Sequence, residues 1–326
     1  MTLLSVIIPS AGRRPELLNK AIESSFFSDI DIGVEVLVIL NGHDGLNFDV
    51  KSEYKDLRVK YFRLKDGNVS KARNFGLKHS KGDYVRFLDD DDYLCPEMSK
   101  LQVQRIMNTN EEVSSFAIQI VDDLGNIHGT TKSNSESVDG ILRLLNVNCV
   151  VLPLAHLFKR SFIQDCVWNE NRCNAEDLEW LHEVARKKPK WTIYNECVGY
   201  WYQHNDDLRL SYSAINQDAT RVCAEQVIKT FNIFKDDLKY INLDEIVANG
   251  LWKVIHKAFY LSPIYWTQIA LYAKSLDSSS HPNESIFDKL PYPILIEWIM
   301  IPKRIGNHLW RILKGKIQKN HYIRKF

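Results

Sequence analysis

Four consecutive aspartates, Asp89 to Asp92, stop the apolar run Tyr84-Val85-Arg86-Phe87-Leu88. That run is rich in aromatic and β-branched residues and short enough to be a buried strand. Four carboxylates at its C-terminal end repel one another unless something cationic neutralises them. A hard divalent ion held by oxygen ligands, Mg²⁺ or Mn²⁺, meets that need and commonly bridges carboxylates to phosphates. A solvated acidic turn is the bland alternative for any Asp run. The strand in front favours the ion, because ligands of open α/β sheets gather at the carboxyl ends of strands.

The residues before this point alternate strand and helix patterns. Leu3 to Ile8 reads as a buried strand ending at Pro9, and a helix follows from Pro15 with Leu17, Leu18, Ala21 and Ile22 on one face. Val34 to Leu40 is a second strand closed by Asn41-Gly42, and Val59 to Leu64 a third. Asn68 is placed as the N-cap of a helix running to about Lys78. Strands interleaved with helices predict an α/β fold with a mostly parallel sheet and right-handed crossovers. Val113 to Val121 and the segment after Gly125 read as a hairpin extending that sheet. From about residue 215 the pattern is helical throughout, which divides the chain into 1–215 and a helical region 216–326.

With 326 residues there is room for one large domain plus an accessory region. The net charge of +1 gives no global attraction to nucleic acid, so none is expected as a partner. Six cysteines without CxxC spacing argue against a structural zinc site. The N-terminus carries no signal-peptide pattern, so a reducing, cytoplasmic setting is the expectation. No stretch reaches the roughly 18 apolar residues of a membrane span.

Three further constellations bear on chemistry. Lys71 and Arg73 sit near a helix N-terminus, where backbone N–H groups favour anions such as a diphosphate; a solvated helix face is the alternative. Glu176-Asp177 opens another helical pattern, where a carboxylate can act as a general base toward a hydroxyl or merely complement the helix dipole. Tyr200-Trp201-Tyr202-Gln203-His204 is either a stacking wall ending in a metal or phosphate contact, or a core strand with an exposed histidine. Neither a Walker A nor a GxGxxG pattern is present.

Taken in order, Leu4-Ser-Val-Ile-Ile-Pro-Ser10, Asn41-Gly42, Lys71-Ala-Arg-Asn-x-Gly76, Gly82-Asp-Tyr-Val-Arg-Phe-Leu-Asp-Asp-Asp-Asp-Tyr93, Leu157-Phe-Lys-Arg160, Trp168-Asn-Glu170, Glu176-Asp-x-x-Trp180 and Tyr202-x-His204 form one series. The series resembles the family 2 glycosyltransferases of the GT-A fold over roughly residues 3 to 210. The resemblance implies an inverting transferase that takes a nucleotide-diphosphate sugar, UDP-sugar first, and a glycan or polyprenyl-diphosphate-linked acceptor. It implies Asp91 and Asp89 as metal-binding carboxylates with His204 as a late metal or diphosphate contact, and Mn²⁺ or Mg²⁺ as the ion. Asp177 resembles the family's catalytic base, with Glu176 beside it. Pro9, Ser10, Asn41, Lys71, Arg73, Asp89, Asp90 and Asp92 complete the implied donor-binding set. Two positions depart from the family pattern. Ser10-Ala-Gly-Arg-Arg14 replaces an aromatic-Asn pair, and Leu40-Asn41 replaces paired aspartates. An asparagine amide still donates to and accepts from a nucleobase edge, and Arg13 and Arg14 either reach the phosphates or are surface cations.

Two other classes compete. A sugar-phosphate nucleotidyltransferase would carry a Gly- and Lys-rich loop after strand one, of which Gly12-Arg13-Arg14 is a thin version, and it has no use for Glu176-Asp177. A catalytically silent nucleotide-sugar-binding module has no need of intact Asp89, Asp91 and Asp177. Finally, residues 298–326 hold eight Lys or Arg and no acid, with Ile301, Ile305, Leu309, Ile312 and Ile317 at near-helical spacing and Trp298 and Trp310 beside them. That pattern suits either an anionic membrane surface, on the inner face of the cell membrane, or a helix packed on the protein with a solvated basic tail.

Overall fold

The computed structural model describes residues 2–49, 54–132, 137–203, 217–289 and 292–317. Its strands are β1 (Thr2–Ser10), β2 (Ile32–Asn41), β3 (Val59–Leu64), β4 (Tyr84–Phe87), β5 (Tyr93–Leu94), β6 (Val113–Asp122), β7 (Ile127–Thr130), β8 (Ser137–Asp139), β9 (His156–Lys159) and β10 (Trp191–Gln203). Its helices are α1 (Pro15–Ser24), α2 (Gly42–Leu46), α3 (Val69–His79), α4 (Pro96–Thr109), α5 (Gly140–Leu145), α6 (Arg160–Ile163), α7 (Glu176–Arg186), α8 (Gln217–Phe234), α9 (Leu243–Ala258), α10 (Pro263–Leu276), α11 (Ser285–Lys289) and α12 (Pro293–Ile317). The described residues divide into two compact units, residues 1–140 with 150–207 and residues 141–149 with 208–326.

The first unit is a single mixed sheet in the order β3-β2-β1-β4-β9-β6-β10-β5, with β7 beside β6 and β8 beside β10. The long pairings are the parallel ones, β1 with β2, β4 with β1, β2 with β3 and β6 with β10. The antiparallel pairings register only two or three residues each. β1 and β2 are buried almost end to end, as parallel strands covered on both faces must be. The expected α1 face is correct in its main members, since Leu18, Ala21 and Ile22 are buried. The hairpin expected after Val113 is the antiparallel pair β6–β7.

Two glycines explain how α3 and β4 come so close to β1. A Cβ on Gly76 of α3 would stand 2.3 Å from Ile7 Cγ2. One on Gly82, just before β4, would stand 2.6 Å from the Ser5 backbone N. Any side chain at either position would push the element off β1. The helix start is set locally, because the Asn68 side chain accepts a hydrogen bond from Lys71 N at 2.9 Å. α3 and the end of β4 are thereby held against the C-terminal end of β1, where Pro9 and Ser10 lie.

Among its described residues the second unit is helical apart from its turns. Trp252, Phe259 and Trp266 are buried among α8, α9 and α10. Gly250 of α9 lets α9 approach the segment after α5, where a Cβ would meet Leu145 O at 2.3 Å. No described helix is long and apolar enough to cross a membrane.

Candidate active site

The four aspartates after β4 are held by several partners, one of which, Arg14, is shared by two of them. Asp89 Oδ1 accepts from Arg73 Nη2 at 2.8 Å. Asp90 Oδ2 accepts from Ser10 Oγ at 2.5 Å. Asp91 Oδ2 lies 3.4 Å from Arg14 Nη2, which is also 3.6 Å from Asp90 Oδ1. Asp92 is buried, and its Oδ1 accepts from the Tyr202 backbone N at 3.0 Å. The repulsion expected from the sequence is offset by two guanidinium groups and by hydrogen bonds from Ser10 and the Tyr202 backbone. Burial pushes the Asp90 carboxyl up to about 6, with Asp91 and Asp89 adding to that rise while Ser10 and Arg14 oppose it.

Arg73 is the hub. Its side chain is 2 % exposed, and Nη1 donates to Asp177 Oδ1 at 2.6 Å while standing 3.6 Å from Glu176 Oε1. One guanidinium thus joins the end of β4 to the first turn of α7. Arg14 is taken up by Asp90 and Asp91, so Asp89, Glu176 and Asp177 outnumber the one cation they share, Arg73. Burial raises the Asp177 carboxyl above the ordinary carboxylate range, and Glu176 and Asp89 push it the same way against Arg73. A carboxylate held in that state is a better proton acceptor than a solvated aspartate.

Neighbouring residues hold this hub in place. Asn74, next to Arg73, accepts from Trp168 N at 2.8 Å and donates to Trp168 O at 3.0 Å. Its amide also reaches Glu170 Oε1 at 3.0 Å. Asn68 donates to Glu170 O at 2.8 Å. The Arg-Asn-x-Gly and Trp-Asn-Glu elements, remote in sequence, are therefore one hydrogen-bonded unit.

Other expected site residues are placed differently. Lys71 does not join Arg73; its Nζ pairs with Asp66 at 2.6 Å on the exposed side of α3. Asn41 is buried and spends its amide protons on Ser10 O at 3.1 Å and Ile39 O at 3.3 Å, tying the ends of β2 and β1 together. Arg13 pairs with the exposed Asp44 at 2.6 Å, whereas Arg14 turns to the aspartates. Tyr200 and Tyr202 belong to β10, and Tyr200 stacks on Tyr93 at 4.8 Å. His204 lies outside the described residues. The sequence did not single out Arg14 over Arg13, nor Trp168 as part of the hub. The only sign of the latter was its fixed place in the motif series.

For a divalent ion, Asp89 and Asp91 offer the hard oxygen donors that Mg²⁺ and Mn²⁺ take. Both side chains keep partial solvent access, at 30 % and 17 %. No three Asp, Glu, His or Cys side chains converge as a closed metal cage among the described residues. The donor set fits an ion that draws its remaining ligands from a diphosphate and water.

The sheet order, the acid-capped strand and the Arg73 hub define an α/β protein with a charged site at the carboxyl ends of its parallel strands, and comparison with known proteins gives its family. Residues 5–166 match the model of Glycosyl transferase family 2. The chain is 38 % identical over 317 residues to the Staphylococcus aureus poly(ribitol-phosphate) beta-N-acetylglucosaminyltransferase TarP, covering 92 % of this chain and 86 % of that protein. It is 25 % identical to the Campylobacter jejuni GalNAc(5)-diNAcBac-PP-undecaprenol beta-1,3-glucosyltransferase, covering 96 % and 98 %. By contrast, it spans only 26 % of an uncharacterized Rickettsia bellii glycosyltransferase and about a third of two others from that genus. The fold is that of S. aureus TarS residues 1–349, whose crystal structure with UDP superposes with a TM-score of 0.63 at 18 % identity, covering 100 % of this chain and 94 % of that one. The chain belongs to glycosyl transferase family 2.

Proposed function

We propose that this chain transfers a sugar from a UDP-sugar to a hydroxyl of a surface glycan, a polyol-phosphate polymer or a lipid-linked glycan, with inversion at the anomeric carbon. The observation that carries this is the single guanidinium, Arg73, shared between Asp89 at the strand end and Asp177 at the helix start. It sets a proton acceptor beside the place where a diphosphate would leave. TarP, whose name gives N-acetylglucosamine as the sugar, and the TarS structure with UDP-GlcNAc make UDP-N-acetylglucosamine the first donor to test.

In this reading Asp177 takes the acceptor's hydroxyl proton as the new C1–O bond forms and the bond from C1 to the diphosphate oxygen breaks. Arg73 holds Asp177 in place and Arg14 stands where the departing diphosphate gathers charge. Ser10 and Asp90 close the strand end on the nucleotide side. A Mg²⁺ or Mn²⁺ ion at Asp89 and Asp91 would neutralise the leaving group. Donor and acceptor held in line would supply much of the remaining acceleration. The test is UDP release from UDP-N-acetylglucosamine in the presence of Mn²⁺. We expect slow release without acceptor, abolished by chelator and by Asp91→Ala. Release of pyrophosphate from a nucleoside triphosphate and a sugar phosphate would instead establish a nucleotidyltransferase.

One observation favours a membrane-surface location for residues 298–326. α12 exposes Leu295, Trp298, Ile299, Ile305, Leu309 and Trp310 along one stripe. Glu297 and Arg304 turn the other way: Glu297 is fully buried against Arg304 and accepts from His256 of α9 at 2.6 Å. An outward apolar face on a strongly basic segment fits an anionic lipid surface. Cosedimentation with phosphatidylglycerol vesicles is expected for the wild type and lost in Ile299→Ser/Leu309→Ser. Binding unchanged by that double substitution, or a smaller oligomer by analytical ultracentrifugation in its place, would assign the stripe elsewhere.

A further inference from the structure

We propose that Trp168 is a positioning residue that fixes the Arg73 guanidinium between Asp89 and Asp177. The claim rests on the reading of Asp177 as the proton acceptor and deepens it. Arg73 reaches the two carboxylates through its two Nη atoms, whereas Nε is buried without a hydrogen-bond partner. Hydrogen bonds therefore fix only one edge of the guanidinium plane. The other constraint is aromatic: the Arg73 Cζ lies 4.4 Å from the centre of the Trp168 ring. Trp168 in turn stacks on Trp180 at 4.4 Å and 5° between planes. One ring face has room for one such partner at that distance, so the indole lies between the guanidinium and Trp180.

The stack links the two halves of the site. Trp180 lies on α7 one turn beyond Asp177, so an indole wedged between Arg73 of α3 and Trp180 of α7 sets the separation of the cation from the base's helix. The wedge is itself fixed. Asn74 grips its backbone at both N and O, and Phe87 of β4 meets both indoles edge-on at 5.2 and 5.3 Å. The cavity bordered by Phe87, His156, Trp168, Asp177 and Trp180 has room for no more than about one water. A desolvated guanidinium over an indole face gains from the ring quadrupole, and a flat wedge restricts its rotation in a way no aliphatic side chain can.

The experiment compares Trp168→Phe, Trp168→Leu, Arg73→Lys and the Arg73→Lys/Trp168→Leu double variant, using UDP-N-acetylglucosamine and UDP release. Trp168→Leu is expected to lower kcat by about 10- to 100-fold, the size of effect that a misplacement near 1 Å produces, with donor KM little changed. Trp168→Phe keeps an aromatic face and recovers most of kcat. In the Arg73→Lys background, which has no guanidinium to stack, Trp168→Leu costs nothing further. A purely structural tryptophan would lower kcat by the same factor in both backgrounds, and that result overturns the proposal. A second measurement needs no turnover: the two Nη resonances of Arg73, assigned by their loss in Arg73→Lys, are expected to be resolved in the wild type and averaged by rotation in Trp168→Leu. Resolved resonances in Trp168→Leu overturn the proposal. A wild type that releases no UDP defeats the transferase reading alone, leaving the resonance result to decide the role of Trp168.

Discussion

Asp177→Asn is expected to bind donor as the wild type does and to lose transfer by about 10²- to 10⁴-fold, the range general-base assistance supplies. The amide is nearly isosteric and its oxygen still accepts from Arg73 Nη1, so the 2.6 Å contact that aligns the first turn of α7 survives. What disappears is the capacity to take a proton. The wild type carries a matching pH signature. Burial, with Glu176 and Asp89 nearby, holds the Asp177 carboxyl above the usual carboxylate range. The carboxylate is the active form, so the rate rises with pH through that raised value. The acid limb of kcat/KM is therefore expected well above the value near 4 of a solvated aspartate. Calorimetry of UDP binding beside initial rates from pH 5 to 9 checks both parts. An Asn variant within tenfold of wild-type kcat would remove Asp177 as the base.

The parts of the site legible in the sequence were those fixed by local chemistry. The acid cap after β4, the Asn68 cap of α3 and the acidic start of α7 each depend on neighbours within one turn, and each is found where the spacing put it. What the sequence left open was the pairing across the fold. Arg13 and Arg14 are indistinguishable as letters, and only the path of the chain after Ser10 sends one to Asp44 and the other to Asp90 and Asp91. Lys71 and Arg73 lie two residues apart on a helix and so face different directions. That geometry gives Lys71 to the surface and Arg73 to the hub. Asn41 is the same kind of case. Its amide is suited to a nucleobase edge, but the adjacent strand end takes its protons first. The Trp168 stack was least visible, because nothing in an apolar tryptophan announces that its partner is a guanidinium.

Arg73→Ala is expected to destabilise the protein by about 3 kcal/mol at neutral pH, the lower end for removing one partner of a buried ion pair. The lower end applies because Asp89 remains 30 % exposed and water partly screens it. The loss should depend on pH in a defined direction. Without the guanidinium, Asp177 loses the cation that opposes its burial, and its carboxyl, already raised in the folded state, rises further. A carboxyl raised in the folded state destabilises that state at high pH, and the penalty fades as pH falls through the raised value. Urea melts of variant and wild type should therefore differ most near pH 7.5 and converge toward pH 5. Arg73→Lys keeps the charge but lacks the fork that spans two carboxylates, so it is expected to recover much of the stability and little of the rate. A stability difference that stays constant from pH 5 to 7.5 would show that Arg73 is not the counter-charge of this cluster. The link it makes between β4 and α7 would then be one of packing.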